Sequence, residues 1–107
     1  MHIRRHAPVL LAALLGLMAG AAQAATPEES LNQAGCTACH AKDRKLVGPS
    51  FKEIAAKYKG QDVSAKLTEK VRKGGAGTFG PIPMPPNPAD KISDADLKAA
   101  IDYILKQ

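Results

Sequence analysis

Cys36-Thr37-Ala38-Cys39-His40 contains the only two cysteines of the chain, with a histidine directly behind the second. Two thiols three residues apart stand about one helical turn from each other, so both can reach the two vinyl groups along one edge of a haem. His40 then falls where its imidazole can rise under the iron as an axial ligand. The spacing serves tethering and ligation together, and the pentapeptide reads as a covalent c-type haem attachment site. A Cys-x-x-Cys pair also reads as a thiol–disulfide redox centre or a structural disulfide. Half of a zinc site is a further reading, but past residue 24 no second Cys/His pair exists to complete four ligands.

Upstream, residues 1–24 have the grammar of a secretory signal. Arg4 and Arg5 open it, an apolar run follows from Val9 to Ala22, and Ala22-Gln23-Ala24 forms a small-x-small cleavage site. The run is 14 residues with Gly16 and Gly20 inside it, short of the roughly 20 that a membrane span needs. An uncleaved anchor is the competing reading. Export predicts a periplasmic location, an oxidising compartment where a bare Cys36/Cys39 pair would tend to oxidise. Haem attachment there requires the pair to be kept reduced until the thioethers form.

Cleavage after Ala24 leaves residues 25–107, one domain of 83 residues with 13 basic and 10 acidic side chains, a net +3. That balance is mild, and haem propionates would bring it nearer neutrality. No basic run with interleaved aromatics is present, so neither nucleic acid nor a membrane surface is indicated as a partner. A chain this short sits where one hydrophobic core is only marginally stabilising. A haem would add a large flat apolar body to that core, so the haem-free chain is expected to be poorly packed.

The remaining pattern predicts helices joined by loops. Thr26-Pro27-Glu28-Glu29 combines an N-cap residue, proline at the first helical position and an acidic residue at the third. Ser50-Phe51-Lys52-Glu53 repeats the capping box; Phe51, Ile54, Ala55 and Tyr58 then mark one face, and Gly60 stops the run. Val63, Leu67 and Val71 form the stripe of a third helix that ends at Gly74-Gly75. Ser93-Asp94-Ala95-Asp96 opens the last, with Ile92 and Leu97 placed as a hydrophobic staple. Its inner face is Leu97, Ala100, Ile101, Ile104 and Leu105, flanked by Tyr103.

Gly80-Pro81-Ile82-Pro83-Met84-Pro85-Pro86-Asn87-Pro88 cannot continue any helix, because its prolines lack N–H donors and push their predecessors to extended geometry. So long a loop in a small domain points to function. Prolines on both sides hold Met84 with little conformational entropy left to lose. Past the signal, Met84 is the only methionine and His40 the only histidine. If the iron has a His/Met pair, no other residues can supply it. A thioether ligand favours ferrous iron and raises the potential, as suits an electron carrier; the alternative role for Met84 is to fill a gap in the core.

Cys36–His40, Lys45-Leu46-Val47-Gly48-Pro49 and Gly80–Asn87 together resemble the small bacterial class I cytochromes c of the cytochrome c-551 type. The resemblance covers essentially all of residues 25–107. It implies an all-α, compact cytochrome c fold, four to five short helices around one covalently attached haem. It also implies a soluble periplasmic electron shuttle rather than an enzyme, a monomer serving redox protein partners. Those partners would be a membrane cytochrome complex, a terminal oxidase or a nitrite reductase, with no membrane insertion once the signal is removed.

Further roles carry over with the resemblance. Pro49 matches the residue whose carbonyl accepts a hydrogen bond from the proximal histidine Nδ1–H. Asn87 matches the residue whose amide donates to the thioether sulfur. Tyr103 matches an aromatic that packs against the first helix, where Leu31 stands in place of the frequent Phe. Near the expected propionates, Phe79 stands where such proteins often have Trp and has no N–H to donate. Lys70 stands where an Arg is found, without bidentate geometry. The other basic residues, among them Lys42, Arg44, Lys57, Lys66 and Arg72, are read as solvated helix surface. A haem protein with a labile sixth ligand, acting as a peroxidase or gas sensor, is the competing functional class.

Overall fold

Thr26 and Ser50 open helices by the same device. Thr26 Oγ1 accepts from the Glu29 N–H at 3.2 Å while the Glu29 carboxylate accepts from the Thr26 N–H at 3.4 Å. Ser50 and Glu53 make the same reciprocal pair at 3.0 and 3.2 Å. Each pair satisfies two backbone donors that a helix start would otherwise leave free. The helices they open are α1 (Pro27–Gln33) and α2 (Phe51–Lys57). Helix α3 (Ser64–Lys73) has no side-chain cap at its start and ends on Gly74. Helix α4 (Asp94–Leu105) is capped by Ser93, whose hydroxyl accepts from the Asp96 N–H at 3.1 Å.

In this computed structural model the described residues are 12, 13, 16 and 23–107. The expected export signal, residues 1–24, lies almost wholly outside them. Among the described residues the architecture is all-α: four α-helices, one turn of 3-10 helix at Cys36–Ala38, and no strand beyond two isolated bridges. Among the described residues, no helix is long and apolar enough to cross a membrane.

Helix α4 is the hub, packing against α1, α2 and α3. Its inner face supplies Leu97, Ala100 and Ile101, which form one buried cluster with Leu31 of α1, Ala34 just past its end, Phe51 of α2, and Ile92. Ile92 and Leu97 are both buried in it, as a hydrophobic staple requires. Leu67 and Val71, the α3 stripe, pack against the same cluster from a partly buried position. Tyr103 joins from the end of α4. Its ring meets Phe51 edge-on at 6.4 Å between centroids, and its hydroxyl donates to Glu28 of α1 at 2.8 Å.

Candidate cofactor site

The pentapeptide begins just after α1. Gly35 takes a left-handed conformation at φ 80° and turns the chain into the 3-10 turn Cys36–Ala38. In a 3-10 turn, side chains three residues apart eclipse one another, so Cys36 and Cys39 come to one side. The N–H groups of Cys39 and His40 both donate to the Cys36 carbonyl, at 3.2 and 3.0 Å. Both cysteines are half-buried and are not joined in a disulfide. Burial pushes the Cys36 thiol up, against a smaller opposite pull from the Lys91 ammonium.

His40 is held by three contacts. Its Nδ1 lies 2.7 Å from the Pro49 carbonyl, which can only accept, so Nδ1 carries the proton and Nε2 keeps its lone pair. Its ring stacks with Phe51 at 5.9 Å and 21°. Gly48 closes against the imidazole so tightly that a Cβ there would stand 2.7 Å from Cε1. The Gly48 N–H donates to the Cys39 carbonyl at 2.8 Å, which fixes the backbone in this approach. The Lys45–Pro49 segment thus wraps the histidine. Gly48's part in it shows in the sequence only as one more glycine.

Met84 is held mainly through its backbone. Its N–H and C=O both pair with Gly75, each at 2.9 Å, which hangs the proline loop from the end of α3. Gly74, at φ 70°, makes room for this: a Cβ there would run into the Met84 carbonyl oxygen. Three residues on, the Asn87 N–H donates to the Val71 carbonyl at 2.9 Å. The buried Asn87 amide donates to the same carbonyl at 3.3 Å and to that of Pro85 at 3.1 Å. The thioether sulfur expected as its acceptor is not among its partners here, because two backbone carbonyls lie within reach of its two hydrogens.

Both segments open on one cleft of about 250 Å³. Cys36, Cys39, His40 and Met84 all line it, as do Leu31, Phe51, Leu97, Ala100 and Ile101 from the core. The lining is overwhelmingly apolar. At the mouth stand Val47, Phe79, Pro81 and Ile82, of which Val47 and Ile82 are more than half exposed. Lys70 also lines the cleft, its ammonium lying over Gly75. The Lys57 ammonium sits 5.6 Å from the Phe79 ring centroid, a cation–π contact. The eight residues singled out from sequence therefore fall into two groups. Cys36, Cys39, His40, Pro49, Met84, Phe79 and Lys70 line the cleft, while Asn87 braces the loop behind it.

One basic residue departs from expectation. Arg72 is not solvated helix surface. Its guanidinium donates to the carbonyls of Asn87 at 3.2 Å and Ile92 at 2.8 Å, and to Asp94 Oδ1 at 2.6 Å. Those partners lie 15 to 22 residues away, and no local pattern in the chain points to them.

Two thiols, an oriented imidazole and a thioether on one apolar cleft fit a flat apolar group attached through the cysteines, with nitrogen and sulfur donors available to its metal. Fold and cleft thus define a small all-α protein built around a single covalently tethered cofactor. Comparison with known proteins agrees. The cytochrome c family model matches residues 24–107. A cytochrome c2 of Rubrivivax gelatinosus is 55% identical over 83 residues, which is 77% of this chain and 98% of its own. A cytochrome c-551 of Azotobacter vinelandii is 51% identical over 81 residues, 75% of this chain and 95% of its own. The crystal structure of wild-type Nitrosomonas europaea cytochrome c552 matches with a TM-score of 0.67 at 44% identity, over 73% of this chain and 95% of that one. The chain belongs to the cytochrome c family, as a small class I member carrying one covalently bound c-type haem.

Proposed function

We propose that this cytochrome c is a periplasmic electron carrier, with Cys36 and Cys39 as the haem attachment points and His40 and Met84 as the two axial ligands. The observation that carries the reading is the convergence of these four side chains on one apolar cleft. When bound, the haem supplies a reversible one-electron Fe(III)/Fe(II) couple. The chain does the rest. Pro49 keeps the proton on His40 Nδ1 and presents Nε2 as a donor, and Gly48 and Phe51 hold the ring. Gly75 fixes the backbone of Met84, and Asn87 braces the loop behind it. The core side chains that line the cleft exclude water, and the Met84 thioether biases the couple towards the reduced form.

Residues 1–24 are the export signal in this reading, removed to leave residues 25–107. The exposed apolar mouth around Val47, Phe79 and Ile82 suits brief encounters of small area with redox proteins. A membrane cytochrome complex on one side and a terminal oxidase or nitrite reductase on the other are the proposed partners of the monomer.

Ligation is tested by absorption and voltammetry on the ferric holoprotein. A weak sulfur-to-iron band at the near-infrared edge is expected. Met84→His should abolish it and lower the potential by a sizeable part of the roughly 0.8 V that axial ligation spans. An unchanged potential would mean that Met84 is not a ligand. Absence of the band in the wild type would point instead to an open sixth position and a peroxidase or sensor.

A further inference from the structure

Arg72 ties together three pieces of chain that meet behind the Met84 loop. It stands in the last turn of α3, its side chain only 20% exposed. One of its terminal nitrogens donates to two backbone carbonyls, those of Asn87 and Ile92, while the other reaches Asp94 in the first turn of α4. The two carbonyls bracket the short stretch through which the proline loop returns to α4. One residue before Arg72, the Val71 carbonyl receives both the N–H and the amide of Asn87. Asn87 is therefore gripped from both directions, its donors by Val71 and its carbonyl by Arg72. Gly75 holds Met84 from the other end of the same loop.

From this arrangement we infer that Arg72 is a positioning residue for Met84: its guanidinium keeps the 84–92 segment closed against α3, and so sets how readily the thioether leaves the iron. The inference rests on Met84 as a ligand. It differs from a general role in stability because both carbonyl bonds fall on the segment returning from Met84, and only the exposed Asp94 pair reaches a helix. The carbonyl bonds do the holding. Asp94 is 90% exposed, so its ion pair with Arg72 is screened by water and contributes little.

The test is competition by imidazole for the sixth position of the ferric holoprotein, followed through loss of the sulfur-to-iron band. Opening the loop is part of the work of displacing the thioether, so any change that eases opening raises the apparent affinity of the competitor. Arg72→Met removes all three bonds and should tighten imidazole binding by roughly tenfold or more. Arg72→Lys keeps one ammonium that can reach a single carbonyl and should fall between. Asp94→Ala should stay within about twofold of wild type, as a screened surface pair predicts. Tyr103→Phe controls for global loosening: it frees α4 from Glu28 without touching the loop, and should leave imidazole binding unchanged.

If Arg72→Met does not accumulate with haem, Arg72→Lys alone decides, since an affinity equal to wild type would overturn the inference. So would an Arg72→Met protein of lowered melting temperature that binds imidazole as weakly as wild type. A wild-type protein without the sulfur-to-iron band would remove the Met84 reading itself, an outcome distinct from either.

Discussion

A methyl group on residue 48 would meet the edge of the His40 ring at Cε1, Nδ1 and Nε2 together, with neither wall free to retreat. The ring is held at Nδ1 by the Pro49 carbonyl and the Gly48 backbone by the Cys39 carbonyl. Gly48→Ala should therefore cost about 1–3 kcal/mol, as overpacking of a well-filled site does. It should also stretch the Nδ1–Pro49 bond and, under the ligation proposed above, weaken the imidazole as a donor to ferric iron and raise the potential. Denaturant unfolding and voltammetry on the holoprotein measure the two effects. If neither moves, the Lys45–Pro49 segment has slack that its hydrogen bonds do not suggest. The pentapeptide and the proline-flanked methionine were plain in the sequence, because each packs its chemistry into adjacent residues. Gly48 and Arg72 were not, since what they touch is decided by the fold. Asn87 lies between: its importance was legible from its place after Met84, its actual acceptors were not.

At the scale of helices, starts were easier to read than ends or partners. A capping box is a local event, and three of the four starts are capped by the serine or threonine that the sequence offered. Helix α3 lacks a side-chain cap, and its signals in the sequence are the Val63, Leu67, Val71 spacing and the glycine stop. The two reciprocal capping boxes differ in burial, which gives them different weight. Ser50 is buried, whereas Thr26 is exposed. Removing a hydroxyl acceptor from a buried N–H leaves that donor without water to replace it. Ser50→Ala is expected to cost about 1–2 kcal/mol, towards the upper end for a cap, and Thr26→Ala about 0.5–1 kcal/mol. Chemical denaturation of the two holoproteins gives the comparison. Equal losses would show that burial does not strengthen the Ser50 cap.

For the molecule as a whole, core and cleft are the same set of side chains. Leu31, Phe51, Leu97, Ala100 and Ile101 belong to the buried cluster and also line the cleft. A haem seated in the cleft would therefore extend the hydrophobic core itself. The closure of the fold between its two end helices adds a pH dependence. Tyr103 donates to Glu28 across α4 and α1, and this hydrogen bond, followed by slight burial and by the carboxylate's charge, raises the phenol above its usual 10.0. The folded protein thus holds the proton more tightly than the unfolded chain. The contribution is complete below pH 10 and is lost as pH rises from there through the folded value. Wild-type holoprotein should lose melting temperature more steeply than Tyr103→Phe above pH 10, and the two should run parallel at neutral pH. Parallel curves throughout would mean that the bond is not populated in solution.

Between Lys73 and Lys91 the chain contains no lysine or arginine. The whole segment that presents Met84, together with the Gly75 pairing and the Asn87 brace, is thus blind to trypsin, while Phe79 at its exposed tip stays open to chymotrypsin. Cleavage after Phe79, identified by the mass of its fragments, therefore reports on this segment from within, whereas tryptic cuts at Lys73 and Lys91 fall only at its two ends.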